Sequence, residues 1–282
     1  MSIARAMYRP GAGIVVAITF AMTWACASNS APARTSGDAY VGVRGIYGRD
    51  SSATGYALQA GLGFNAFDVG TDRDRLDALE RAGLKAIVWL GAWSNDTCTW
   101  EHDDAWVRAQ VSAAATSHAI AAYYLGDEPR ISKCPTAPVI FKARTALVHE
   151  VDPRHPTLTV ISAFDAGHMF PYSTWRGASD ILGFDVYPCN RTQAQCDFDR
   201  IDAAVGAIRN AGITRYWAVI QAFEDSYYRM PMPGELHEEF ARWRRSDISG
   251  YVVFSWNYMT FNLELRPEVL RQLEIENSIP LH

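Results

Sequence analysis

Ala86-Ile87-Val88-Trp89-Leu90 is an unbroken apolar run with no polar alternation to offer to water. A strand with one wet face alternates, whereas a strand covered on both faces does not, so this run predicts a parallel sheet with helices packed outside it. The flanks agree: Asp72 to Ala82 carries helical periodicity and stops at Gly83, and Asp103 to Ser117 does the same before the next apolar run, Ile120 to Leu125.

Moving outward in both directions, the alternation continues. The strand candidates are Tyr40 to Tyr47, Asn65 to Val69, Lys85 to Leu90, Ile120 to Leu125, Thr157 to Ser162, Ile181 to Tyr187, Tyr216 to Phe223 and Tyr251 to Trp256. Helical segments at Ala137 to Val151, Phe198 to Asn210, Gly234 to Arg245 and Arg266 to Glu276 fall between or after them, and Pro171 to Ala178 is the weakest helix. An open doubly wound sheet would alternate in the same way. However, eight units in roughly 245 residues match the usual size of a closed barrel, and no Gly-x-Gly-x-x-Gly follows the first strand. The expectation is an α/β fold, a single-domain (β/α)8 TIM barrel over residues 38–282.

Residues 1–37 read as a signal peptide and short linker. Arg5 and Arg9 precede an apolar run from Gly11 to Ala27, with small-residue cleavage options at Ala25-Cys26-Ala27 and Ala31-Pro32-Ala33. The run is short for a membrane span, so none is expected in the mature chain. The alternative is a lipoprotein anchored through Cys26, although Thr23-Trp24-Ala25 lacks the usual aliphatic residue three positions before the cysteine. The chain is therefore expected to be secreted or extracytoplasmic, with a lipid anchor at Cys26 as the variant, and to be a monomer.

Four further cysteines make an even set in a chain that looks exported, which favours disulfides. Position in the sequence pairs Cys98 with Cys134 and Cys189 with Cys196. A zinc site is the rival, but no Cys-x-x-Cys is present, and no metal or cofactor is expected. Asn95-Asp96-Thr97 and Asn190-Arg191-Thr192 are glycosylation sequons, meaningful only in a eukaryotic host. Lys and Arg number 26 against 31 Asp and Glu, so the chain lacks the basic surface that a phosphate backbone requires, and nucleic acid is excluded as a partner.

In such a barrel the residues just past the strand C-termini face the active mouth. Here they are rich in carboxylates and aromatics: Asp68 on the second strand, Trp93 after the third, Asp127-Glu128 on the fourth, Asp185 and Tyr187 on the sixth, Gln221 and Glu224-Asp225 on the seventh, Trp256-Asn257 on the eighth. Flat rings with polar tips suit the apolar faces of sugars. Trp89, Trp217 and Trp243 are expected in the core, and Trp93, Trp100, Trp175, Trp256, Tyr227 and Tyr228 at the mouth. The histidines His102, His118, His149, His155, His168 and His237 form no triad or metal pattern.

Cleavage of a glycosidic bond commonly uses two carboxyl groups, one giving a proton to the leaving oxygen and one attacking or stabilising the anomeric carbon. Tyr124-Leu125-Gly126-Asp127-Glu128-Pro129 resembles the Asn-Glu-Pro fourth-strand ending of retaining glycoside hydrolases of clan A, and Glu224 lies where their seventh-strand nucleophile belongs. The resemblance implies a glycosidase acting on an oligo- or polysaccharide, with Glu128 as general acid and base and Glu224 as nucleophile. It implies sugar contacts from Asp68, Trp93, Asp127, Asp185, Tyr187, Gln221, Trp256 and Asn257.

Several alternatives remain open. Asp127 replaces the family's Asn. Gln221 and Glu224 have opposite parity, so a regular strand cannot aim both inward, and Asp225 is the local substitute nucleophile. Asp185 could equally be a buried structural acid bonded to Arg44 or Tyr251. Two other functions fit the same residues: substrate-assisted hydrolysis of an N-acetylated glycan using Asp127-Glu128, and a non-catalytic barrel that binds glycan through its aromatics.

Overall fold

The computed structural model describes residues 42–48 and 55–281, so the signal segment, the boundary at residue 38 and Cys26 lie outside the described residues. Eight parallel strands close into a barrel: β1 (Val43–Ile46), β2 (Ala66–Val69), β3 (Lys85–Trp89), β4 (Ile120–Asp127), β5 (Thr157–Ser162), β6 (Ile181–Asp185), β7 (Tyr216–Gln221) and β8 (Gly250–Phe254). Each strand pairs with its sequence neighbours, and β8 closes on β1 with Val43 opposite Gly250. Helices α1 (Ala57–Gly61), α2 (Arg73–Arg81), α3 (Asp104–Ala114), α4 (Ala137–Val151), α5 (Asp199–Asn210), α6 (Pro233–Arg244) and α7 (Pro267–Ser278) follow the strands, with a 3-10 turn at Tyr172–Trp175 in the gap after β5. The expected (β/α)8 fold is therefore present.

Alternation along each strand divides the apolar side chains into two layers. Val43, Ile87, Tyr124, Val160, Trp217 and Val219 belong to the inner cluster. Ile46, Phe67, Val88, Tyr123, Ile220 and Val253, one step out of phase, belong to the layer beneath the helices. Arg44 is out of phase with Val43 and lies opposite Tyr251 of β8, whose hydroxyl donates to Asn277 on α7. It therefore lies in the outer layer and is not a partner for the acids at the barrel mouth.

Asp72 and Asp103 accept from Arg75 N (2.9 Å) and Trp106 N (2.8 Å) and so cap α2 and α3. The weak segment after β5 is a single 3-10 turn held by Tyr172 and Trp175, both fully buried. Three hairpins sit in the loops beyond β3, β5 and β8: Trp93–Ser94 with Thr99–Trp100, Phe164–Asp165 with His168–Met169, and Asn257–Tyr258 with Phe261–Asn262. With two residues per strand they carry no periodicity that a sequence can display. No helix among the described residues is long and apolar enough to cross a membrane.

Candidate active site

The end of β4 departs from regular geometry twice. Tyr124 pairs with Leu158, but the next partner on β5, Thr159, meets Gly126, so one residue of β4 bulges and the alternation resets. Gly126 lets the strand pass close to two rings: a Cβ there would lie 3.0 Å from the Phe141 ring and 3.3 Å from Trp100, which would have to shift by a few tenths of an ångström. Asp127 then points inward in phase with the bulge. Glu128, which regular alternation would turn away, adopts φ 41°, a left-handed backbone that a non-glycine residue rarely takes, and also faces inward. Such a conformation costs about 1–3 kcal/mol and persists only where its surroundings impose it.

Both acids open into a cavity of about 290 Å³ at the C-terminal mouth, lined also by Asp185 at the end of β6 and Tyr187 past it, Tyr47 just past β1, Trp89 and Tyr124 from the barrel, and Phe223, Tyr228, Phe254 and Tyr258 from the far side. Trp89 stacks on Tyr124 with ring centroids 4.0 Å apart and forms part of the floor. Phe254 and Tyr258 meet Phe223 edge-on at 5.0 and 5.7 Å and form one wall. This apolar lining with a few convergent polar groups is the usual make-up of a small-ligand site.

The electrostatics centre on three carboxyl groups. Tyr124 Oη donates to Asp127 Oδ1 at 2.6 Å. Packing among the lining groups, reinforced by the charge of Glu128 and opposed by the Tyr124 hydrogen bond, pushes Asp127 up to about 6, although water still reaches it through the mouth. Asp185 is 5% exposed. Burial, then the charge of the neighbouring Glu128, holds Asp185 well above the usual carboxylate range. Arg130 Nη2 stands 4.0 Å from Glu128 Oε2 on the solvent side.

Of the other sequence candidates, Asp225 reaches the rim of this cavity and the rest lie elsewhere. Glu224 does not meet Glu128: it pairs with Arg266 Nη2 at 2.7 Å and Arg191 Nη2 at 3.6 Å and lines a separate surface depression. Its parity accounts for this, since Val219 and Phe223 face the cavity and Glu224 is one step out of phase. Asp225 reaches the cavity rim, where Oδ1 accepts from Tyr227 N (2.7 Å) and Tyr228 N (2.8 Å) to shape a turn. Gln221 is fully buried, its amide bonded to Cys189 N (2.9 Å), Cys189 O (3.1 Å) and Arg229 O (2.8 Å). Behind it Glu239 Oε1 accepts from Gln221 N at 2.8 Å, and burial holds this glutamate well above its ordinary range.

Asp68 accepts from Gly48 N at 2.8 Å and anchors the chain leaving β1, and burial raises its carboxyl. Trp93 packs against Trp100 and Phe141, and Trp256 is fully buried with Nε1 donating to Glu264 at 3.0 Å, so neither ring lines the cavity. Trp175, expected at the mouth, is in the core, and Asn257 is exposed in the hairpin beyond β8. Sequence reasoning missed Tyr47, Trp89, Phe223, Phe254 and Tyr258 as lining residues. All but Tyr258 were read as parts of apolar strands, and the inward parity of Val219 and Phe223 was the available signal.

Both expected disulfides are present, Cys98–Cys134 and Cys189–Cys196, with Cα separations of 5.5 and 4.2 Å. The first joins the loops after β3 and β4, and the second closes the loop after β6. Among the described residues, the one cluster spaced for metal ligation is Cys189, Cys196 and Glu235, where the sulfurs are bonded to each other and Glu235 forks onto Arg229 at 2.6 and 2.7 Å. The sequon residue Asn95 directs its amide into the protein.

Among solved structures the described architecture has clear counterparts. A β-glucuronidase of Lactobacillus rhamnosus aligns over 86% of this chain and 50% of its own, with a TM-score of 0.62 at 14% identity. A β-galactosidase of the psychrophilic Marinomonas ef1 aligns over 83% and 59%, with a TM-score of 0.59 at 10% identity. The chain shares its barrel fold with glycoside hydrolases. A β-mannanase of the blue mussel Mytilus edulis aligns over 79% of this chain and 83% of its own, with a TM-score of 0.51 at 13% identity. The chain spans about half the length of the first two enzymes. No family model matches the sequence, and no curated protein matches it either.

Proposed function

We propose that this protein is a glycoside hydrolase in which Glu128 protonates the leaving oxygen and the attacking group belongs to the substrate, an N-acetylated glycan. The observation that carries the reading is the company of Glu128: Asp127 and Asp185 share its cavity, while Glu224 past β7 turns onto two arginines and Asp225, at the rim, is held by two backbone N–H groups. In this mechanism the acetamide oxygen forms a bond to the anomeric carbon as the glycosidic bond breaks, and the proton of Glu128 goes to the departing oxygen. Ionised Asp127, adjacent in the chain and bonded to Tyr124, accepts the acetamide N–H and orients it. Glu128 then takes a proton from the water that opens the cyclic intermediate. Asp185 shares the cavity with Glu128, and the surrounding rings carry the sugar faces. The two disulfides fit an oxidising, extracytoplasmic compartment.

The retaining two-carboxylate mechanism, with Glu224 as nucleophile, remains the second reading on the strength of the sequence resemblance. It requires Glu224 to leave two arginines and turn through the strand. Aryl 2-acetamido glycosides carrying zero, one, two or three fluorines on the acetyl group separate the two. Fluorine weakens the acetamide oxygen as a nucleophile, so the rate should fall steeply along the series. Rates independent of fluorination, or equal turnover of 2-hydroxy glycosides, would support the two-carboxylate enzyme. Quenching of Trp fluorescence by glycan without any turnover would leave a binding barrel.

A further inference from the structure

Glu128 combines a left-handed backbone, φ 41°, with a proline as the next residue. Both are unfavourable for an L-residue, so the surroundings must hold it. On its amide side, Glu128 N donates to Val160 O at 3.0 Å, an ordinary continuation of the β4–β5 ladder. On its carbonyl side the partner is one side chain from another loop. Asn95 Nδ2 donates to Glu128 O at 2.9 Å, while Asn95 Oδ1 accepts from Arg130 N at 2.8 Å and from Trp93 Nε1 at 3.1 Å. A single amide therefore grips the backbone on both sides of Pro129. Its orientation is fixed by chemistry, because the oxygen faces two N–H donors and the NH2 faces a carbonyl.

Asn95 itself has little freedom. It sits at the turn of the hairpin formed by Trp93–Ser94 and Thr99–Trp100, which is joined to the loop after β4 by the Cys98–Cys134 disulfide and by Lys133 Nζ to Asp96 Oδ1 at 2.6 Å. On the far side of that loop Ser132 N donates to Asp165 Oδ2 at 2.9 Å.

We propose that Asn95 is a positioning residue that holds the Glu128 carboxyl in the cavity by clamping the backbone across Pro129. The inference rests on Glu128 being the proton donor. Aspartate at this position would keep the acceptor for Arg130 N and Trp93 Nε1 but would set a second oxygen against Glu128 O; alanine would remove all three bonds.

The test compares wild type, Asn95→Asp, Asn95→Ala and Glu128→Gln on pairs of aryl glycosides with good and poor leaving groups. A misplaced proton donor should lower kcat of both Asn95 variants by about 10- to 100-fold, more for the poor leaving group, with KM changed less than about twofold and the acid limb of the pH profile displaced. A fall in thermal stability with kcat, leaving-group dependence and pH profile unchanged would overturn the proposal. Glu128→Gln separates the two levels: equal loss on both leaving groups there refutes the proton-donor reading itself, whereas the expected asymmetry there, absent in the Asn95 variants, refutes only the clamp. If wild type turns over none of these glycosides, a crystal structure of Asn95→Ala decides. Relaxation of Glu128 to negative φ with its carboxyl away from Asp185 supports the clamp, and an unchanged Glu128 overturns it.

Discussion

The ends of β4 and β7 carry nearly the same chemistry, Asp127-Glu128 and Glu224-Asp225, and the barrel treats them in opposite ways. At β4 a bulge and a left-handed residue turn two adjacent acids into one cavity, where close packing with the lining groups and the charge of Glu128 raise Asp127 and the buried Asp185. Past β7 the alternation continues from Val219 to Phe223, and Glu224 is left to pair with Arg266 and Arg191. An acid at a strand end is thus only an opportunity. The backbone decides whether it is compressed against other acids or neutralised by arginines, and the two outcomes predict very different responses to mutation.

The largest effect should come from the β4 end. Glu128→Gln keeps the shape and removes the proton, so turnover of a poor leaving group should fall by about 10²- to 10⁴-fold, with much less loss when the leaving group needs no proton. Steady-state kinetics on the two substrate types measures this. Equal losses would make Glu128 a sugar-positioning residue and would dissolve the functional contrast between the two strand ends.

Next in size is the covalent support of that end. Replacing both Cys98 and Cys134 with serine releases a link across 36 residues of chain, for which loop-closure entropy gives a loss of about 4 kcal/mol. The same change at Cys189 and Cys196, 7 residues apart, should cost only about 2 kcal/mol. Urea midpoints of the two double variants test the ranking, and a reversed order would place the mechanical support of the mouth on the β6–β7 side.

The compressed acids also set a pH dependence. Asp127, raised to about 6, and Asp185, held well above the usual carboxylate range, bind protons more tightly folded than unfolded. Between roughly pH 4, where free aspartates titrate, and these higher values, the folded chain holds more protons, so stability falls as pH rises through that window. Buried Glu239 acts in the same direction. Asp185→Asn should flatten the slope and raise the melting temperature at pH 7 while lowering turnover. A calorimetric series from pH 4 to 7 that shows stability rising in wild type would mean that the acids are not compressed.

Most of the architecture was legible in the sequence because it rests on periodicity. All eight barrel strands, and six of the seven helices among the described residues, lie within a few residues of their expected positions, and the exception, Ala57–Gly61, is too short to display a period. The site was legible only where composition sufficed. Asp127, Glu128, Asp185 and Tyr187 converge as carboxylates and a tyrosine on strand ends should. Trp93 and Trp256 were misplaced because two-residue hairpins, invisible to pattern, fold them under the loops. Trp89 was taken for core because lining the floor of a cavity and filling a barrel demand the same inward, apolar side chain. Asn95, read as a sequon, spends its amide on Glu128 O instead, a contact across 33 residues that no local rule reveals.

The smallest expected effect is the sharpest discriminator. Glu224 is 30% exposed in its side chain and shared between two arginines, and exposed ion pairs of this kind contribute about 0–1 kcal/mol each. Glu224→Ala should therefore lower stability only slightly and leave turnover of an activated glycoside within about a fewfold of wild type, with no response to azide. If Glu224 were a nucleophile, the same variant would lose the covalent step, and azide entering the vacated space would restore turnover and leave a glycosyl azide of inverted configuration. Rescue at Glu224 would require the side chain to swing away from Arg266 and Arg191 during catalysis, making the outward pose a resting state; rescue at Asp225→Ala instead would move the role to the residue already at the cavity rim. Turnover kinetics with azide, read beside the stereochemistry of the product, distinguishes these outcomes, and inertness in both variants is the result that the contrast between the two strand ends demands.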